Sequence, residues 1–133
     1  MLRNVSYKNS KIKDEINTAV GFPFSFFERI KMNGIGSKNL RIKSCSEEIK
    51  SILNLDNNDN KCNIEIRRQG IIVFFRSLLE TYGLIIPFYK LKIFKGESNV
   101  YSIYSDKHLI KVFVKNKDDH KFFKKIIRYR EIT

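Results

Sequence analysis

From residue 62 onward the side chains alternate, and that period of two is what most restricts the folds open to this chain. Cys62, Ile64 and Ile66 are apolar while Asn63, Glu65 and Arg67 are polar, the pattern of a strand with one buried face. Gln69-Gly70 supplies a turn, and Ile71-Ile72-Val73-Phe74-Phe75 follows, apolar at every position and rich in β-branched and aromatic residues. Such a run suits a central strand covered on both faces. Thr81–Ile86, halted by Pro87, reads as the next strand, since proline cannot donate to a ladder. Further strands are expected at Leu91–Phe94, Val100–Tyr104 and Leu109–Val114, joined by hairpin turns at Gly96-Glu97-Ser98 and Ser105-Asp106-Lys107. Strands in succession with short turns make an antiparallel meander.

The period changes to that of a helix after Asn116. Asn116 can cap, Asp118 and Asp119 suit the positive end of the helix dipole, and Lys124, Lys125, Arg128 and Arg130 suit the negative end. Phe122, Phe123, Ile126 and Ile127 form the apolar stripe, which would cover the bare side of the sheet. Upstream, Ser44-Cys45-Ser46-Glu47 has the S-x-x-E form of a capping box, predicting a helix of about three turns that carries Ile49, Ile52 and Leu53 and ends near Leu55. Short helices are expected near Lys11–Val20 and Phe26–Met32, with Leu40-Arg41-Ile42 either a strand or a lead into the capped helix. The expectation is an α+β chain forming one domain over 1–133, mostly helical over 1–60, with the meander and closing helix over 61–133.

Composition bounds the function. A chain of 133 residues, 42% hydrophobic and 30% charged, can bury a core without metals or disulfides. No apolar run approaches the ~20 residues that cross a bilayer, and Met1–Lys8 lacks the apolar stretch of a secretory signal, so a cytoplasmic address is expected. Cys45 and Cys62 stand alone, without zinc-ligand spacing, and read as buried free thiols. The net charge is +12, concentrated at the two ends: residues 1–43 carry nine Lys or Arg against three acids, and residues 81–133 twelve against five. A field of that sign attracts an acidic protein, a lipid headgroup or a nucleic acid without choosing among them.

The succession Ile64-Glu65-Ile66-Arg67-x-x-Gly70-Ile71-Ile72-Val73, then Leu84-Ile85-Ile86-Pro87-Phe88-Tyr89-Lys90-Leu91, with a single closing helix, resembles bacterial pleckstrin-homology-like domains over residues 61–130. The whole chain also resembles small proteins of the Bacteroidetes group, which implies no activity. The first resemblance implies a partly open barrel capped by the helix and, as in many eukaryotic members, binding of phosphoinositide headgroups or peptides. Lipid-binding members carry a lysine, a spacer and then Lys/Arg-x-Arg in the first hairpin. Here Lys61 precedes Arg67-Arg68 but Gln69-Gly70 follow, a departure from that pattern.

Several motifs compete as sites. Arg67 and Arg68 can meet a phosphate or carboxylate. The basic stretch of Lys111, Lys115, Lys121, Lys124, Lys125 and Arg128 is the best candidate surface for an anionic partner, against the plainer reading of a solvated face. Asn33-Gly34-Ile35-Gly36-Ser37-Lys38 resembles a phosphate-cradling loop but lacks the Walker spacing, so a turn is expected. Asp56-x-Asn58-x-Asn60 opens like a calcium loop, yet Lys61 and Arg67 occupy positions that need Gly and Glu. The spacing around His108 and His120 offers no nucleophile or carboxylate partner that would orient a catalytic base, and the acids form no metal-binding cluster. No catalytic residue, cofactor or metal is therefore expected. The crowded Phe22, Phe24, Phe26, Phe27 and Ile30 are read as core beneath the sheet, the alternative being an exposed patch for a partner or a bilayer surface, flanked by Lys11, Lys13, Arg29 and Lys31. The expected function is a non-enzymatic binding domain for an anionic partner, with nucleic-acid binding as the alternative.

Overall fold

The computed structural model describes residues 1–56, 60–97 and 99–132. The chain runs β1 (Leu2–Asn4), α1 (Ser10–Val20), α2 (Phe26–Lys31), β2 (Leu40–Cys45), α3 (Glu47–Leu53), β3 (Lys61–Arg67), β4 (Gly70–Ser77), β5 (Glu80–Pro87), a 3-10 turn (Phe88–Lys90), β6 (Lys92–Lys95), β7 (Val100–Ser105), β8 (His108–Phe113) and α4 (Lys117–Ile132). The strands pair antiparallel in the order β1-β5-β4-β3-β2-β8-β7-β6. Two meanders, β3-β4-β5 and β6-β7-β8, are thus joined through β2, whose Leu40 pairs with Cys62 and whose Cys45 pairs with Ile110.

The sheet stays open: no ladder joins its edge strands β1 and β6 among the described residues, so the expected barrel does not close. It must curl nonetheless. Between Pro87 and Lys92 the chain can span at most about 18 Å, so β5 and β6, on opposite halves of the sheet, are held near each other.

One cluster of buried side chains fills the concave side. It holds Ile64, Ile66, Ile71, Val73 and Phe75 from one meander, Tyr101, Ile103, Ile110 and Val112 from the other, Ile49 and Leu53 from α3, and Phe122, Phe123 and Ile126 from α4. The closing helix covers the sheet as its stripe predicts, with Phe123 stacked on Tyr101 at 4.4 Å between ring centroids. The Asn116 side chain accepts the Asp119 N–H at 2.9 Å as the cap. On the other face of β4 and β5, Ile72 and Ile85 pack under Val20 of α1, which explains why β4 is apolar at every position from Ile71 to Phe75.

Three expectations change. The first sixty residues hold the expected helices as α1, α2 and α3, but they also contribute β1 and β2 to the sheet. Ser44 is no helix cap: it belongs to β2, α3 begins at Glu47 after Ser46, and the Ser46 hydroxyl accepts the Leu109 N–H at 3.2 Å. The phenylalanine cluster is not core, since only Phe24 is buried, while Phe22, Phe26, Phe27 and Ile30 are 58–77% exposed. The Asp56–Lys61 loop and the turn at Ser98 fall partly outside the described residues. No helix among the described residues is long and apolar enough to cross a membrane.

Candidate functional site

α4 places Lys121, Lys124, Lys125 and Arg128 on one side, because residues three, four and seven apart share a helix face. That side looks across at the end of α2. There Asn33 and Gly34, both at positive φ (57° and 90°), turn the chain out of the helix, and the Gly34 N–H returns to the Arg29 carbonyl at 2.8 Å. Lys125 closes the gap, its Nζ donating to the carbonyls of Asn33 and Gly34 at 3.2 and 3.1 Å. Burial lowers the Lys125 pKa from its ordinary value, since desolvation penalises the charged form.

Two clefts share this tether in their linings. One, of about 420 Å³, is lined by Lys31, Met32 and Asn33 on one wall and by Lys121, Lys124, Lys125, Arg128, Tyr129 and Ile132 on the other. The second, of about 370 Å³, shares Asn33, Lys121 and Lys125 and adds Gly36, Ser37, Lys38 and the acidic first turn of α4, Asp118 and Asp119. Lys31, Lys38, Lys121, Lys124 and Arg128 make no ion pair among the described residues. The result is a basic groove between the 31–38 segment and α4.

The two hairpin arginines are employed elsewhere. Arg67 is largely buried, its Nε donating to Glu65 at 2.5 Å and its Nη1 to the Gly21 carbonyl at 3.0 Å and Asn17 Oδ1 at 3.3 Å, so it ties β3 to the end of α1. Arg68 pairs with both carboxylate oxygens of Glu28, at 2.8 and 2.6 Å, and lies over the Phe24 ring. The Arg68 hydrogen bonds and the Ser25 backbone N–H hold the Glu28 carboxyl down at about 2. Arg68 does reach the end of α4, sharing a cleft of about 600 Å³ with Tyr129 and Arg130, but its fork is already occupied.

Lys111 and Lys115 line neither basic cleft. Lys111 sits on the side of β8 opposite to Ile110 and Val112, level with Ser102 and Ser44, and the exposed Lys115 lies over the Phe113 ring.

His108 is buried on β8, its Nε2 3.8 Å from Glu48 and its Nδ1 without a hydrogen-bond partner among the described residues. His120 meets the Tyr101 hydroxyl at 3.1 Å. Among the described residues, no three His, Cys, Asp or Glu side chains are grouped to hold a metal ion. Cys62 is buried, its thiol pushed up to about 12 by desolvation, and Cys45 is half-buried.

The α4 cations are legible from helical spacing, whereas Lys31 and Lys38, which face them across the groove, are not. The available signal was the glycine-containing 33–38 segment ending in Lys38, whose neighbours could not be read from local spacing. Compared with protein-family models, curated proteins and solved structures, the chain shows no match.

Proposed function

We propose that this chain is a non-enzymatic binding domain that holds a polyanionic partner in the groove between the 31–38 segment and α4. The observation that carries the reading is the set of five cations, Lys31, Lys38, Lys121, Lys124 and Arg128, which line two clefts and lack ion-paired counter-charges among the described residues, Asp118 and Asp119 being the acids on the same lining. An incoming row of phosphates or carboxylates would supply those charges. Arg67 and Arg68 hold the scaffold and are left out of the contact.

The test is the salt dependence of binding to a fluorescein-labelled single-stranded oligonucleotide, used as a generic polyanion. Five neutralised phosphates predict a log–log slope of about −3.5 against salt, and Lys124→Ala with Arg128→Ala should reduce its magnitude by about 1.4. Binding that ignores salt, or an unchanged slope in the double variant, would overturn the proposal.

A second reading, nucleic-acid binding, is favoured by the outer face of β6–β8. Phe94, 56% exposed, meets Tyr104 edge to face at 5.6 Å, and Lys92 and Lys111 share the rows of these rings in the ladder. Aromatics beside lysines can stack bases. On that reading Phe94→Ala and Tyr104→Ala weaken oligonucleotide binding while leaving retention on heparin intact.

A further inference from the structure

The largest concentration of exposed apolar side chains lies beside the groove. Within nine positions Phe22 is 66% exposed, Phe26 71%, Phe27 77% and Ile30 58%, while Phe24, in their midst, is 4% exposed. Soluble surfaces rarely gather large side chains so closely unless something covers them.

These rings are presented on a fixed support. Ser25 and Glu28 form a reciprocal capping box at the start of α2, Glu28 pairs with Arg68, and the Arg29 Nε donates to the Phe24 carbonyl at 3.1 Å. Phe24 itself packs edge-on against Tyr129 of α4 at 5.6 Å. The outward direction of Phe26, Phe27 and Ile30 therefore follows from inward anchors on the same turn. The apolar face is also continuous with the basic groove, because Lys31 and Met32, which end α2, form one wall of it.

We infer that Phe22, Phe26, Phe27 and Ile30 enter the headgroup–acyl boundary of an anionic lipid bilayer while the groove cations beside them meet lipid phosphates. The electrostatic half of this inference rests on the groove reading above. Charge complementarity selects this occupant. Rings rimmed by Arg29 and Lys31 on a molecule of net charge +12 repel a second copy of the same surface, whereas an anionic leaflet offers apolar depth and negative charge together. Two such signals are what stable peripheral attachment requires.

The absence of tryptophan from the chain makes a direct test possible, since Phe27→Trp installs a single reporter at an exposed position. Its emission is measured with vesicles of phosphatidylcholine alone and with vesicles containing phosphatidylglycerol, and heparin retention is measured in parallel. The expected result is a blue shift and quenching by brominated acyl chains only with the anionic vesicles. Adding Phe22→Ser and Phe26→Ser to that variant should lower vesicle partitioning by on the order of tenfold, with thermal unfolding and heparin retention unchanged.

Vesicle binding without a blue shift would mean adsorption by charge alone and would overturn the inference. A blue shift that appears without lipid and grows with protein concentration would assign the patch to self-association and overturn it as well. Heparin retention without any vesicle response removes the bilayer and leaves the groove reading standing; loss of both removes the groove reading too.

Discussion

Gly70 sits where the β3–β4 turn, the end of β5 and α1 converge, and one added methyl group has nowhere to go. A Cβ there would collide with the Ile86 carbonyl and lie 2.5 Å from Val20 Cγ1 and 3.0 Å from Pro87 Cα. Two of these neighbours are backbone in the paired strand β5, so relief requires moving the ladder. Gly70→Ala is expected to destabilise by about 3 kcal/mol, read as a lower urea midpoint at unchanged slope; an unchanged midpoint would show that Gly70 is not so confined. His108 supplies a pH dependence. Burial lowers its pKa, with Lys107 and the N-terminus acting in the same direction and Glu48 and Asp106 opposing. A cation disfavoured by folding leaves stability intact above the unfolded value, about 6.5, and removes it as pH falls toward the lower folded one. The N-terminal ammonium, also lowered chiefly by burial, contributes with the same sign. Urea midpoints at pH 7.5 and 5.5 should therefore fall together with pH, and fall less in His108→Gln. Equal losses in both proteins would assign the effect elsewhere.

At the scale of elements, legibility followed how far each segment's own pattern decides its partners. β3, β4 and β5 are readable because their alternation and Gly70 turn specify pairing between sequence neighbours. α4 is readable because Asn116, the acidic first turn and the Phe122–Ile126 stripe agree with one another. β1 is not, since three residues carry no period and become a strand by pairing Leu2, Arg3 and Asn4 with Leu84, Gly83 and Tyr82 of β5. The Ser44 capping box fails for a related reason: Ile42 pairs with Val112 and Cys45 with Ile110, so extended pairing to β8 wins over a local cap. Around Pro23 the difference between Phe24 and its exposed neighbours depends on Tyr129, more than a hundred positions away. The groove was half legible. Its α4 wall follows from helical spacing, but the Lys125 bonds to Asn33 and Gly34 span 92 and 91 positions, a separation that no local pattern encodes.

For the whole molecule, folding concentrates a charge imbalance that the sequence keeps apart. The excess of cations lies in residues 1–43 and 81–133, while the intervening residues 44–80 carry five cations and six acids and supply β3 and β4 at the sheet's centre. Bringing the two basic ends together at the groove sets Lys31 and Lys38 opposite Lys121, Lys124 and Arg128, a repulsion that the native state bears and the unfolded chain relaxes. Added salt should therefore raise the melting temperature, because screening removes a cost larger in the native state. A polyanion should raise it further at matched ionic strength, because a ligand that binds only the folded groove stabilises it by mass action. Replacing Lys124 and Arg128 by glutamate should reverse the pattern, giving a higher melting temperature in low salt, a smaller gain from salt and almost none from the polyanion. Calorimetry of the two proteins in sodium chloride and in polyphosphate separates the effects. If both gain equally from polyphosphate, the charge acts through the surface at large and the groove holds no privileged anion site.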